Sequence, residues 1–159
     1  MAHQQLMDSM RELTLRMHRL FNIELKAQGT SLAQLKLLLF IEHMAQARAI
    51  DISEAFGFAP RTVTEAIDGL ERDGLVRRDP VPNDRRAKYI RVTDAGSKVI
   101  SDAAPARQAI ASRIFQALTP TEEQELLRLV KVLNDRLMEV EAPHLRGEHS
   151  QPKTKSSEQ

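Results

Sequence analysis

Leu75–Gly96 reads LVRRDPVPNDRRAKYIRVTDAG, and the fold turns on how these residues are read. Leu75-Val76-Arg77-Arg78 is a short run of strand type, Pro80, Pro82 and Asn83-Asp84 interrupt it, and Tyr89-Ile90-Arg91-Val92 returns. Two apolar-and-basic runs separated by proline and Asx residues predict a β-hairpin with an extended loop. Because proline cannot donate to a sheet ladder, the segment between the runs is expected to project as a loop rather than lengthen the sheet. Its charge is lopsided: Arg77, Arg78, Arg85, Arg86, Lys88 and Arg91 stand against Asp79 and Asp84. A protruding hairpin that gathers guanidinium groups while burying little suits contact with a polyanion.

Immediately before the hairpin, Asp51 to Phe56 reads as a short helix, Gly57-Phe58-Ala59 as a tight turn and Pro60 to Arg72 as a longer helix. Pro60 suits a first helical position and Gly74 the position after the last turn. Val63, Ile67 and Leu70 make the buried stripe of this helix, which leaves Arg61, Thr62, Thr64 and Glu65 near its exposed N-terminal end. Two helices joined by a glycine turn, the second presenting short polar and basic side chains, form a helix-turn-helix. With the basic hairpin following directly, the unit becomes a winged helix-turn-helix.

The rest of the chain reads as helix. From His3 to about Lys26, Leu6, Met10, Leu13, Met17 and Leu20 recur at heptad spacing. Ser31 is placed to cap a helix from Leu32 to about Ala45, whose run Leu37-Leu38-Leu39-Phe40-Ile41 predicts full burial. Thr93 is placed to cap a helix from Asp94 to about Ala117, with Pro105 expected to kink or break it. Thr119-Pro120-Thr121-Glu122 matches a capping box, and the helix it opens carries Leu126, Val130, Leu133, Leu137 and Val140, a second heptad seam. Pro143 is expected to end that helix, and the polar residues 143–159 read as a disordered tail.

Composition bounds the rest. A chain of 159 residues holds one domain, or two lobes sharing a core, and 42% apolar residues with only 4% aromatics and no Trp favour Leu- and Ala-rich helices over a sandwich of sheets. The formal charge is +1, so affinity for nucleic acid has to come from local clustering. Without cysteine there is no disulfide, thiolate nucleophile or CxxC zinc site. No signal peptide or membrane-length apolar run is visible, so a cytoplasmic protein is expected. A Gly-rich phosphate loop, GxSxG and HExxH are also missing, and Glu122-Glu123 is explained by helix capping, so neither enzyme chemistry nor a cofactor is expected. His43 beside Glu42 lacks metal-ligand spacing, and no metal is expected.

Asn83 to Gly96 resembles the wing signature of the MarR-type bacterial regulators, Asp-Arg-Arg followed by apolar-x-apolar-Thr-x-x-Gly, and Leu70 to Val76 resembles the family's Leu-Glu-x-x-Gly-Leu-Val. The resemblance covers helix order from about residue 5 to residue 140. It implies a mainly α fold with a small β-hairpin wing, in which the N- and C-terminal helices of two chains interlock as a homodimer lobe. The organisation would be residues 1–31 as dimerisation helix, 32–96 as the DNA-binding lobe, 97–142 as linking and C-terminal dimerisation helices, and 143–159 as tail. It further implies a pseudo-palindromic double-stranded DNA operator, repression, and release by a small aromatic or lipophilic acid. Departures from the family pattern are Ser53 in place of Ala, Ala59 in place of the Ser before Pro60, Glu65 and Gly69 where Arg is frequent, and the interrupting Pro105.

On this reading Arg61 is a candidate for guanine and Thr62 and Thr64 for thymine methyls or phosphates. Glu65 either accepts from a cytosine amino group or repels phosphate. Arg86 and Lys88 would hold phosphates, Arg85 would enter a narrow minor groove, and Arg77 is a further DNA-binding candidate. Asp84 is placed to orient an arginine, Arg78 or Arg85, by a salt bridge. Arg16, His18 and Arg19, beside the N-terminal seam, could anchor a ligand carboxylate, although exposed charges flanking a dimer seam explain them as well. The alternatives to a specific regulator are a winged helix used as a protein–protein adaptor and an architectural DNA binder.

Overall fold

Gly57 and Gly74 adopt left-handed backbone, at φ +65° and +73°, a conformation that costs glycine nothing, and each stops a helix at a sharp change of direction. Between them lies α4 (Pro60–Arg72), preceded by α1 (Ala2–Lys26), α2 (Leu32–Met44) and α3 (Ala49–Phe56). It is followed by β1 (Val76–Val81), β2 (Asp84–Val92), α5 (Asp94–Phe115) and α6 (Pro120–Leu145). The computed structural model describes residues 1–82 and 84–145, with backbone alone for Arg85 and residues 143–145. The chain separates into two units, Met1–Ser112 and the part from Arg113 onward.

The first unit is built on a core in which Leu38 and Ile41 of α2, Ile52 of α3, Val63, Ile67 and Leu70 of α4, Val76 of β1 and Ile90 of β2 are all buried. Each such side chain stabilises by about 1.5–3 kcal/mol, so the stripe of α4 is fixed against four other elements. A second cluster joins Leu25 of α1, Leu35 of α2 and Ala103 of α5. The sheet is one antiparallel hairpin in the register Val76↔Val92, Arg78↔Ile90 and Pro80↔Lys88. An isolated bridge from Ala47 to Ile90, with the Ile90 amide donating to the Ala47 carbonyl at 2.7 Å, ties the hairpin to the segment after α2. In the second unit α6 presents Leu126, Val130, Leu133, Leu137 and Val140 to solvent, as α1 in the first presents Leu6, Met10 and Leu13. Among the described residues no helix is long and apolar enough to cross a membrane.

The caps follow the sequence: Ser31 Oγ accepts from the Gln34 amide at 3.1 Å, Thr93 Oγ1 from the Gly96 amide at 3.2 Å, and Thr119 and Glu122 bond reciprocally. Ala59 supplies no side-chain cap to α4.

Four expectations need correction, and a fifth, at Pro105, is narrowed. Helix α3 begins at Ala49, not Asp51, because Asp51 is its third residue and reaches back to the Arg48 amide at 2.7 Å. The hairpin is longer than the two short runs, with Pro80 inside β1; both strands of a two-stranded sheet have an open edge where a missing N–H is tolerated. Helix α2 is not fully buried, since Lys36, Glu42 and His43 form an exposed edge. Of the kink or break expected at Pro105 only the break is excluded, since α5 runs as one helix with Ala103 and Ile110 buried on either side of it. Pro143 does not end α6, whose backbone continues to Leu145; a proline this near the end disturbs only the final turn. The tail expected over residues 143–159 lies, from residue 146, outside the described residues.

Candidate nucleic-acid interface

Helix α4 turns 100° per residue, so the side chains opposite Val63, Ile67 and Leu70 are Arg61, Glu65 and Arg72, with Asp68 and Gly69 flanking them. Arg61 is 90% and Glu65 64% exposed, and Arg61 Nε donates to Glu65 Oε1 at 2.9 Å. Thr64 lies on the wing side of this face and returns its hydroxyl to the Pro60 carbonyl at 3.0 Å. Thr62 lies on the other side, toward α1 and α2.

The wing meets α4 across a cleft of about 390 Å³ lined by Arg48, Thr64, Ile67, Arg78, Arg86 and Lys88, among others. Arg78 turns toward α4. Its guanidinium donates to Glu71 and, at 2.5 Å, to Asp68, and its amide donates to Glu71 Oε1 at 3.2 Å. Both acids belong to α4, so β1 is clipped to that helix at adjacent turns. Arg77 and Arg91 flank Asp79 at 3.2 and 3.0 Å, and Arg91 also donates to the Ala45 carbonyl at 3.1 Å. Arg91 therefore closes the C-terminal end of α2. Arg86 and Lys88 remain exposed on β2, while the side chain of Arg85 lies outside the described residues.

Asp84 does not pair with Arg78, whose carboxylate partners come from α4. Its Oδ1 accepts the amides of Arg86 at 2.9 Å and Ala87 at 3.2 Å, fixing the start of β2. Its other expected partner, the side chain of Arg85, lies outside the described residues.

The three residues named as able to anchor a carboxylate do not converge. Arg16 is engaged with Glu12 at 2.5 Å, one turn earlier in α1, and Arg19 is exposed. Only His18 faces α2, where Lys36 Nζ lies 3.1 Å from its Nε2. This pair borders a cleft of about 430 Å³ lined also by Asn22, Phe56, Phe58 and Thr62, and a smaller one, about 280 Å³, lined by Phe21 and Arg107. Phe56 stacks on Phe58 with centroids 5.6 Å apart. Among the described residues no group of three His, Cys, Asp or Glu is placed to hold a metal. Sequence reasoning missed Lys36 and Arg48; the signal for Arg48 was its position just before a helix whose third residue is an acid, and for Lys36 its isolation in an apolar run.

Comparison with known proteins agrees with this geometry. The MarR family model matches residues 30–88, from the start of α2 to the middle of β2. An uncharacterised HTH-type transcriptional regulator of Bacillus subtilis, YkoM, is 36% identical over 69 residues, 43% of this chain, and the chain spans 45% of its length. The transcriptional repressor MprA of Escherichia coli is 27% identical over 122 residues, 76% of this chain and 69% of that protein. Among solved structures, a MarR mutant from E. coli complexed with operator DNA superposes with TM-score 0.74 at 24% identity, over 81% of this chain and 93% of the other. The MepR–DNA complex of S. aureus gives 0.68 at 22% identity, over 79% and 94%. The family model is thus seated on the helix-turn-helix and the first part of its wing, and the solved structures share the winged-helix fold along most of the chain, so over residues 30–88 this chain is similar to the MarR family.

Proposed function

We propose that the protein is a homodimeric repressor that binds a pseudo-palindromic double-stranded DNA operator and is released by a small aromatic or lipophilic acid. The observation that carries the DNA-binding reading is that Thr64 of α4 and Arg86 and Lys88 of β2 line a single cleft, which sets a major-groove helix beside cations free to meet the flanking phosphates. Arg61 and Thr62 extend the helix surface, and Arg77 adds charge along β1. A cytoplasmic location goes with this role. The name of MprA and the operator and DNA complexes of the structural relatives support the same reading.

Dimerisation is favoured by the two solvent-facing seams of α1 and α6, too apolar to be left in water. A two-fold dimer places its reading helices on half-sites about one helical turn apart, ~34 Å. The effector is assigned to the aromatic-walled clefts beside His18 and Lys36, where a carboxylate would find cations and a ring would find Phe21, Phe56 and Phe58. It would act by favouring a half-site spacing that misfits the operator.

Binding of the full-length protein to the DNA upstream of its own gene, against a scrambled duplex and across a salt series, tests the proposal. A steep salt dependence with preference for the upstream DNA is expected. Equal binding to both duplexes would favour an architectural role, and no binding at low salt would favour the protein–protein adaptor.

A further inference from the structure

Helix α4 has the wrong overall charge for a helix that merely adheres to a polyanion. Arg61 and Arg72 stand against Glu65, Asp68 and Glu71, and the wing must supply the attraction. Asp68 and Glu71 are accounted for by Arg78. Glu65 is not: it lies at the centre of the exposed face, opposite the buried Val63 and Ile67, and is bound to Arg61 by a single-turn ion pair.

An ionised carboxylate only accepts hydrogen bonds. Phosphates offer it none, and most major-groove atoms, the N7 and O6 of guanine and the O4 of thymine, are acceptors that repel it. Two donors remain, the N4 amino group of cytosine and the N6 amino group of adenine. Adenine places its N7 acceptor beside N6, which suits an amide with one donor and one acceptor, whereas cytosine presents its donor without an adjacent acceptor and suits a carboxylate. Arg61, already oriented through Nε by Glu65, has its guanidinium on the same face, and guanine offers such a group two acceptors.

On this basis, and resting on the operator-binding reading, we infer that Glu65 is a specificity-determining residue that accepts from a cytosine amino group, so that each operator half-site carries a C·G pair under the first turns of α4. Arg61 reads the guanine side of the same or the neighbouring pair. Glu65 therefore selects against A·T at that position, rather than simply weakening the grip on DNA.

The test is selection of binding sites from random duplexes by the full-length wild-type protein and by Glu65→Gln and Glu65→Ala. Both substitutions are at an exposed position, and circular dichroism checks that each variant is folded. The wild type is expected to enrich a C·G pair in each half-site, with replacement of that pair weakening binding by roughly tenfold or more. Glu65→Gln moves the preference at that pair to A·T and leaves the other positions alone, and Glu65→Ala accepts any base there. Identical preferences in all three proteins, including uniformly weaker binding by Glu65→Ala, would overturn the inference and leave Glu65 as a support for Arg61. Failure of the wild type to enrich any sequence would overturn the regulator reading itself.

Discussion

Arg78 of the wing is held by Glu71 of α4 through both its amide and its guanidinium. With Asp68 as the second acceptor, one arginine clips β1 to α4 in addition to the core they share. The guanidinium is only 27% exposed, so it is a poor phosphate ligand and a good strut.

Replacing it by methionine is therefore expected to lower affinity for a specific operator while leaving the salt slope unchanged. The same change at Arg86, a free cation, reduces the slope by about one. Arg78→Met also costs about 1 kcal/mol of stability, since the pair is partly screened by solvent. Anisotropy titrations at several salt concentrations, with denaturant unfolding alongside, separate the two effects.

Asp84 orders the beginning of β2 by accepting two amides. Asp84→Ala removes both bonds from an exposed turn, so global stability is expected to change by less than about 1 kcal/mol while operator affinity falls. Equal affinity for wild type and variant, measured on the same duplex, would show that the turn needs no such support.

Gly96 has no room for a side chain. A Cβ there would collide with the Leu75 carbonyl oxygen and stand 2.6 Å from Val92 Cγ1, where α5 leaves the sheet beneath Thr93. Gly96→Ala is expected to destabilise by roughly 1–3 kcal/mol or more, because one partner is backbone that cannot yield. Thermal unfolding followed by circular dichroism reads the effect directly.

Asp51 accepts from the Arg48 amide and guanidinium. Burial pushes its carboxyl up, but these hydrogen bonds outweigh that and hold it below the ordinary 3.8. A depressed folded-state value adds stability that is present above the unfolded value and is lost as pH falls through the folded one. The advantage of wild type over Asp51→Asn in urea unfolding should thus be full at neutral pH and shrink below about pH 3.8.

What the sequence disclosed depended on how local the cause was. The caps at Ser31, Thr93 and Thr119 and the boundaries of α4 were legible because each rests on residues within one turn of the element it starts or stops. The stripe Val63, Ile67 and Leu70 was legible from its period. Pairings across the fold were not. Arg78 looked like one more wing cation, because the acids that claim it lie seven and ten residues earlier on another element. Arg16, His18 and Arg19 looked like a cluster in a linear reading, but the helix sends His18 toward α2 and Arg16 toward Glu12. Pro80 was read as a loop residue by a rule that holds for interior strands and lapses in a two-stranded sheet.

The exposed ridge of α6 should follow the dimer proposal. Leu133→Glu places a charge in the middle of its seam, and light scattering is expected to show loss of the dimer, with operator affinity falling as the two half-sites cease to be bound together. A dimer that survives this change, and the equivalent Leu13→Glu in α1, would remove both seams from the interface.

The central claim is that α4 and its wing form a DNA-reading surface whose attraction comes from the wing. Its most direct test is an anisotropy salt series on the DNA upstream of the gene, with wild type beside Arg86→Ala-Lys88→Ala. Steeply salt-dependent, sequence-preferring binding by the wild type, with a slope smaller by about two in the double variant, is the predicted result. Identical slopes, or no binding by the wild type at low salt, would contradict it.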